Sequence, residues 1–179
     1  MQAGYLYNRN YQSQEKQGVK KMTNLNATGL SKEKSSEISG MLNNLLSDYQ
    51  IYYQNLRGLH WLVHGRQFFQ LHAKYEELYN EAAETIDEIA ERILMLGNVP
   101  FHSFEEYLQN ASIKPVKNVS DGNRGVEIVV EETTILLTKV REILEKASDS
   151  NDEGTASFMS GLISGFEKNL WMFDSFLNK

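Results

Sequence analysis

Apolar residues recur at intervals of three and four along four long stretches of the chain, which is the spacing of one face of an α-helix. In the first stretch this face includes Leu42, Leu46, Tyr49, Tyr53 and Leu56. The pattern predicts long helices A to D over residues 31–63, 67–96, 122–146 and 155–177. A short additional helix is predicted between helices B and C, at residues 103–110.

Two connections of very different length join these helices. Residues 64–66 form a short turn in which Gly65 supplies backbone freedom, so helices A and B must pack antiparallel. Residues 97–122 hold both prolines of the chain and form a crossover long enough to run back along a helix of about 30 residues, or about 45 Å. Two helical hairpins joined in this way predict an all-α, ferritin-like four-helix bundle with a long B–C crossover that carries the short extra helix.

The first 29 residues have a different composition from the rest of the chain. They are rich in Gln, Asn, Tyr, Gly and Lys without an apolar period, which predicts a flexible N-terminal tail, 1–29, before one bundle domain, 30–179. Met22 leaves a second interpretation open, in which residues 1–21 are an extension. Residues 1–35 carry six basic and two acidic side chains, a net charge of +4, and the other 144 residues carry twelve and twenty-two, a net charge of −10.

The composition also limits the location and the metal chemistry of the protein. There is no cysteine, so a bound metal must take its ligands from His, Asp and Glu. We find no apolar run of about 18 residues that could cross a bilayer and no signal-peptide pattern at the N-terminus. We therefore expect a cytoplasmic protein without a membrane partner.

One stripe of helix B carries potential metal ligands. At 100° per residue from His72, Glu76 falls near 40°, Asp87 near 60° and Glu91 near 100°. The apolar residues of this helix occupy a different face, at roughly 240–320°, so the stripe is not needed for the core. Imidazole and carboxylate together are suitable ligands for first-row metals, and hard oxygens suit iron.

Length along the helix decides how these residues could meet. His72 and Asp87 are fifteen residues apart, or about 22 Å, which is too far for one ion. No Glu lies three residues before any of the four histidines, so the Glu-x-x-His motifs of a single-chain di-iron site are missing. Two copies of helix B packed antiparallel about a two-fold axis would instead place His72 of one subunit opposite Asp87 and Glu91 of the other. His60, at the end of helix A, would join His72.

These residues also resemble the signature of the Dps (DNA-binding protein from starved cells) family. Residues 55–61 read NLRGLHW, residues 87–92 read DEIAER, and the intervals His60–His72, His72–Asp87 and Asp87–Glu91 are 12, 15 and 4 residues. The resemblance covers the chain from about residue 31 to the end. It implies a twelve-subunit shell whose inter-subunit sites oxidise Fe(II), preferably with hydrogen peroxide, and which stores ferric mineral and protects DNA from oxidative damage. It further implies that Trp61, next to His60, takes up electrons or stray radicals.

Two positions depart from the family pattern. Glu76 stands where the family commonly has Asp, and its longer side chain could alter the second iron position. Near the start of helix D the family often has acids that line ion-entry pores, whereas residues 154–157 read GTAS; the nearest acids are Asp149, Asp152 and Glu153. Zinc is a competing occupant of the metal site, since Zn²⁺ binds well to His and carboxylate ligands.

Two other functions remain open from the sequence. One is a helical oligomerisation module without chemistry, which would keep its properties after His60→Ala and Asp87→Ala. The other is a nucleoid-associated protein that binds DNA through the basic tail, with avidity from many copies. That interpretation predicts a salt-sensitive gel shift of duplex DNA that disappears when residues 1–34 are removed. The absence of any shift at low salt would exclude it.

Overall fold

The computed structural model describes residues 24–177 and confirms an all-α fold with the predicted order of helices. The helices are α1 (Lys32–Leu62), α2 (Phe68–Met95), α3 (Phe104–Asn110), α4 (Gly122–Asp149) and α5 (Glu153–Phe176). The ends of the helices agree with the predicted ones to within three residues, the largest difference being that α4 continues beyond residue 146. Between residues 24 and 177, no helix combines the length and the apolar character needed to cross a membrane.

Helix α1 is the central element of the bundle. It packs against α2, α3 and α4, while α5 packs on α4. The chain reverses between α1 and α2 at Gly65, whose φ of 101° lies in the left-handed region that glycine adopts without strain. The core has contributions from all four long helices, and its fully buried members include Ile38, Leu42, Leu56, Ile89, Ile93, Val129, Leu136 and Met159. This packing fixes the antiparallel register of α1 and α2, which carry the predicted site.

The crossover between α2 and α4 is held to the bundle by three polar side chains of α1. Asn43, Asp48 and Asn55 are all buried, and each bonds main-chain groups of the crossover at 2.6–3.2 Å. Their partners are Val99, Phe101, Ser112, Ile113, Lys114 and Val116. Irregular backbone next to a core needs such partners, because buried peptide groups that lose water cost free energy unless they are bonded.

Residues 24–29, which the prediction placed in the tail, form a turn bonded to the bundle. The Asn26 amide donates to Ser35 Oγ at 3.0 Å and to the main-chain oxygen of Leu96 at 3.3 Å. Its Oδ1 accepts from the main-chain N–H groups of Thr28 and Leu30. The rest of the predicted tail, residues 1–23, lies outside the described residues.

A buried ion pair joins the end of α2 to the start of α5. Arg92 donates to Asp152 and to Thr155 Oγ1, and Asp152 also accepts from the Thr155 N–H as the N-cap of α5. A side chain at Gly154 would lie about 2.9 Å from the Arg92 guanidinium, so glycine leaves the space that this group needs. Of the three acids nearest to the start of α5, Asp152 is buried in this ion pair, whereas Asp149 and Glu153 are exposed.

Glu132 is a buried acid between α4 and α1. Its Oε1 accepts from Asn55 Nδ2 at 2.6 Å, and its Oε2 has no hydrogen-bond partner among the described residues. Burial raises the pKa of Glu132 to about 8, against the opposing effect of the Asn55 bond. The folded protein therefore holds this proton at neutral pH, whereas the unfolded chain releases it near pH 4.3.

The raised pKa of Glu132 predicts how Glu132→Gln changes stability with pH. Between about pH 4.5 and 8, unfolding of the wild-type protein releases the Glu132 proton. The free energy of unfolding of the wild type therefore falls as pH rises through this window. Glutamine has no proton to release, so its contribution does not fall with pH. The free energy of unfolding of the variant should exceed that of the wild type by on the order of 1–3 kcal/mol at pH 8, and by little at pH 4.5. Melting temperatures of the two proteins across this pH range test the prediction, with the exposed Glu145→Gln as control. A stability difference that does not depend on pH would contradict it.

Candidate metal centre

His60 and His72 face each other across the α1–α2 hairpin. The Nδ1–H of each imidazole donates to the main-chain oxygen of the other histidine, at 2.8 Å for His60 and 2.9 Å for His72. The two rings are stacked, with centroids 3.7 Å apart and planes 21° from parallel. The hairpin register sets this reciprocal pairing, since His60 lies in the last turn of α1 and His72 in the second turn of α2.

The reciprocal bonds determine which ring nitrogens are available to a metal. A carbonyl oxygen can only accept a hydrogen bond, so the proton of each neutral imidazole must be on Nδ1. The lone pair is then on Nε2, the usual arrangement in a metal-binding histidine whose other nitrogen is bonded to a carbonyl. Both histidines are half-buried, and together they present two nitrogen ligands without any change of tautomer.

Aromatic rings enclose the histidine pair on both sides. The Phe68 ring lies 4.9 Å from the His72 ring and 26° from parallel with it. Tyr79 approaches His60 edge-on, at 5.4 Å between centroids and 81° between planes. Trp61 is 57% exposed, and the Arg57 guanidinium lies over its ring, with 4.8 Å between Arg57 Cζ and the ring centroid of Trp61. The redox role of Trp61 remains a prediction.

The three predicted carboxylates lie on the exposed side of α2. Glu76 Oε1 is 3.4 Å from the Tyr79 hydroxyl, which donates to it. Asp87 and Glu91 are exposed and form no hydrogen bond or ion pair with any residue of 24–177. Unpaired carboxylates on one face of a helix have no structural task in the described chain, so they are free to bind a ligand.

A single copy of the described chain does not complete a metal site. Within residues 24–177, no three His, Asp or Glu side chains lie close enough together to bind an ion. The structure brings together His60 and His72, with Glu76 in contact through Tyr79. It leaves Asp87 and Glu91 at the other end of α2, about 22 Å and about 28 Å from His72 by the helical rise. The donor set fits iron, but its two halves are separated.

Exposed apolar side chains flank the histidine end of the bundle. Phe69 and Phe104 are both more than 80% exposed. Trp61, Leu62 and Leu108 are also exposed. Phe104 and Leu108 line a groove of about 330 Å³ between α1 and α3. Exposed apolar side chains beside such a groove are typical of protein interfaces.

The sequence prediction missed Tyr79, which contacts two of the predicted ligands. Its position contains a usable signal, because it follows His72 by seven residues and so falls within about 20° of it on the helix. It also follows Glu76 by three residues, the spacing of neighbours on one face. The apolar period of α2 does not include this position, and tyrosine is not among the His, Asp and Glu residues that the prediction considered as ligands.

Comparison with known proteins defines the class to which this fold and these ligands belong. The family model of the ferritin-like domain matches residues 40–179. The DNA protection during starvation protein of Porphyromonas gingivalis is 40% identical over 87% of this chain and 98% of its own. The crystal structure of a Vibrio cholerae O1 Dps protein, described as a member of a broad superfamily of ferritin-like diiron-carboxylate proteins, superposes with a TM-score of 0.85. That protein is 44% identical, and the match covers 86% of this chain and 97% of the other.

A third similar structure is that of Dps from Listeria innocua soaked with zinc, at 29% identity and a TM-score of 0.76. The match covers 79% of this chain and 97% of that protein. The chain is thus a ferritin-like protein. Within that class it belongs to the Dps family.

Proposed function

We propose that the assembled protein oxidises Fe(II), preferably with hydrogen peroxide, at sites shared between two subunits, and stores the ferric product in a hollow shell. One observation carries the proposal: near one end of α2, His72 and the neighbouring His60 of α1 have free Nε2 atoms, and near the other end α2 has unpaired carboxylates on the same face as His72. Neither half is a complete site, and each supplies what the other lacks.

A two-fold axis across the middle of α2 would unite the two halves. For residue 72 of one copy to face residues 87–91 of its partner, the axis must cross α2 near residues 80–81. This is the centre of Phe68–Met95, so the two helices would overlap along nearly their whole length. Exposed Asn80 and Ala83 lie near this axis and are small enough to allow a close approach. The exposed apolar residues at the histidine end would be covered by the same partner.

Each predicted ligand has a distinct task in this arrangement. His60 and His72 would bind Fe(II) through neutral Nε2 atoms, and Asp87 and Glu91 of the partner would supply negative charge that favours Fe(III) as it forms. Glu76 would reach a second iron position. Two Fe(II) ions give one electron each to hydrogen peroxide, which takes up two protons and leaves as two water molecules. This two-electron route avoids the hydroxyl radical formed when a single electron cleaves peroxide.

By removing Fe(II) and peroxide, the protein would protect DNA without binding to it. We propose that a shell of twelve subunits stores the ferric product, and that Zn²⁺ competes for the same ligands without turning over, because it has no accessible redox change. DNA binding through the basic tail is the alternative that remains. Most of this tail, residues 1–23, lies outside the described part of the chain.

Co-assembly of two inactive variants tests whether the site is shared. His60→Ala/His72→Ala removes the nitrogen ligands, and Asp87→Ala/Glu91→Ala removes the carboxylates. In a mixed dimer one of the two sites has every ligand, and the other keeps only Glu76. Random mixing at equal amounts makes half of the dimers mixed, so about one quarter of the wild-type rate of Fe(II) oxidation should return. Each variant alone should have almost no activity.

The measurement is the initial rate of Fe(III) formation with peroxide, on samples whose native mass confirms assembly. Glu88→Ala is a matched control, because Glu88 follows Asp87 but lies about 100° further around α2. It should keep the wild-type rate. No recovery in mixed assemblies, or oxidation that persists in both separate variants, would show that the site is not shared in this way.

A further inference from the structure

Tyr79 contacts predicted metal ligands on both α1 and α2. Its ring meets the His60 ring edge-on at 5.4 Å, and its hydroxyl donates to Glu76 Oε1 at 3.4 Å. The Tyr79 ring also contacts the Tyr53 ring edge-on, with 6.2 Å between centroids and 81° between planes. The side chain is half-buried, so these contacts restrict its orientation while its hydroxyl remains near the exposed face of α2.

Helix geometry explains why the hydroxyl reaches Glu76. Side chains on a helix lean toward its N-terminus, so Tyr79 extends back over the turn that begins at Glu76. An aspartate at position 76 would hold its carboxylate one methylene closer to the backbone. The longer glutamate extends to the level of the phenol oxygen. The Glu at position 76 and the Tyr at position 79 thus form a matched pair along the helix.

We infer that Tyr79 is a positioning residue that holds the Glu76 carboxylate and the His60 imidazole in one relative arrangement, and so sets the second metal position. The inference rests on the proposed function and adds a residue to it. An edge-on aromatic contact has a preferred geometry, which keeps the His60 ring stacked on His72. A hydroxyl bonded to a ligating carboxylate limits the directions in which that carboxylate can point.

The role of Tyr79 is measurable without iron turnover. Co(II) is a coloured and redox-stable substitute for Fe(II), and its affinity for the assembled protein can be titrated in the visible. Tyr79→Phe keeps the ring and removes the hydroxyl, and it should weaken Co(II) binding about tenfold, as loss of a partner to a ligand typically does. In a Glu76→Gln background, Tyr79→Phe should weaken Co(II) binding less than about twofold, because the carboxylate that Tyr79 positions is absent.

Tyr53→Phe is the matched control, because it removes a hydroxyl from the neighbouring ring without touching His60 or Glu76. It should leave Co(II) affinity unchanged. A general loss of structure would lower the melting temperature and act equally in both backgrounds, whereas positioning predicts coupling between residues 76 and 79 at an unchanged melting temperature. Wild-type affinity in Tyr79→Phe, or the same loss with and without the Glu76 carboxylate, would overturn the inference.

Two further variants separate failure of this inference from failure of the proposed function. If His60→Ala and Asp87→Ala abolish Co(II) binding while Tyr79→Phe does not change it, only the role of Tyr79 is wrong. If neither His60→Ala nor Asp87→Ala affects Co(II) binding, the proposed site is wrong, and the inference falls with it.

Discussion

The length of α2 between its histidine and its carboxylates governs how this protein could work. A helix is rigid over fifteen residues, so His72 and Asp87 stay about 22 Å apart however the loops move. A shared face gives both groups access to one partner surface, but the rise along the helix prevents them from meeting on one ion. The proposed chemistry therefore requires a second copy of the chain, and the proposed activity would be a property of the assembly.

The histidine end is prepared for that assembly within one chain. The tight turn at Gly65 sets the register of α1 and α2, and the register places each imidazole beside the main-chain oxygen of the other. The same bonds that orient the rings leave both Nε2 atoms free. Asp87 and Glu91, in contrast, are exposed, and no hydrogen bond or ion pair with residues 24–177 orients their carboxylates. In the proposed site the nitrogen half would be oriented by hydrogen bonds within one chain, and the carboxylate half would be oriented only on assembly.

The helices and the ligand stripe could be predicted because both follow from periodicity. Apolar spacing identified five helices to within a few residues, and helix phase placed His72, Glu76, Asp87 and Glu91 on one face. Features that depend on tertiary contacts could not be read in this way. No periodicity indicates that Asp152 is buried against Arg92, or that the bonds of Asn26 extend the ordered structure before residue 30. Tyr79 needed the position of α1, since its contact with His60 crosses between helices.

The proposed mechanism requires that two chains bind the same metal ion. A crystal structure of the assembled protein soaked with Co(II), with the metal located by anomalous scattering, shows this directly. We predict an ion about 2.0–2.3 Å from an Nε2 atom of His60 or His72 in one subunit and from carboxylate oxygens of Asp87 and Glu91 in its partner. An ion bound by ligands of one chain alone, or an interface in which the imidazoles and carboxylates face apart, would contradict the central claim.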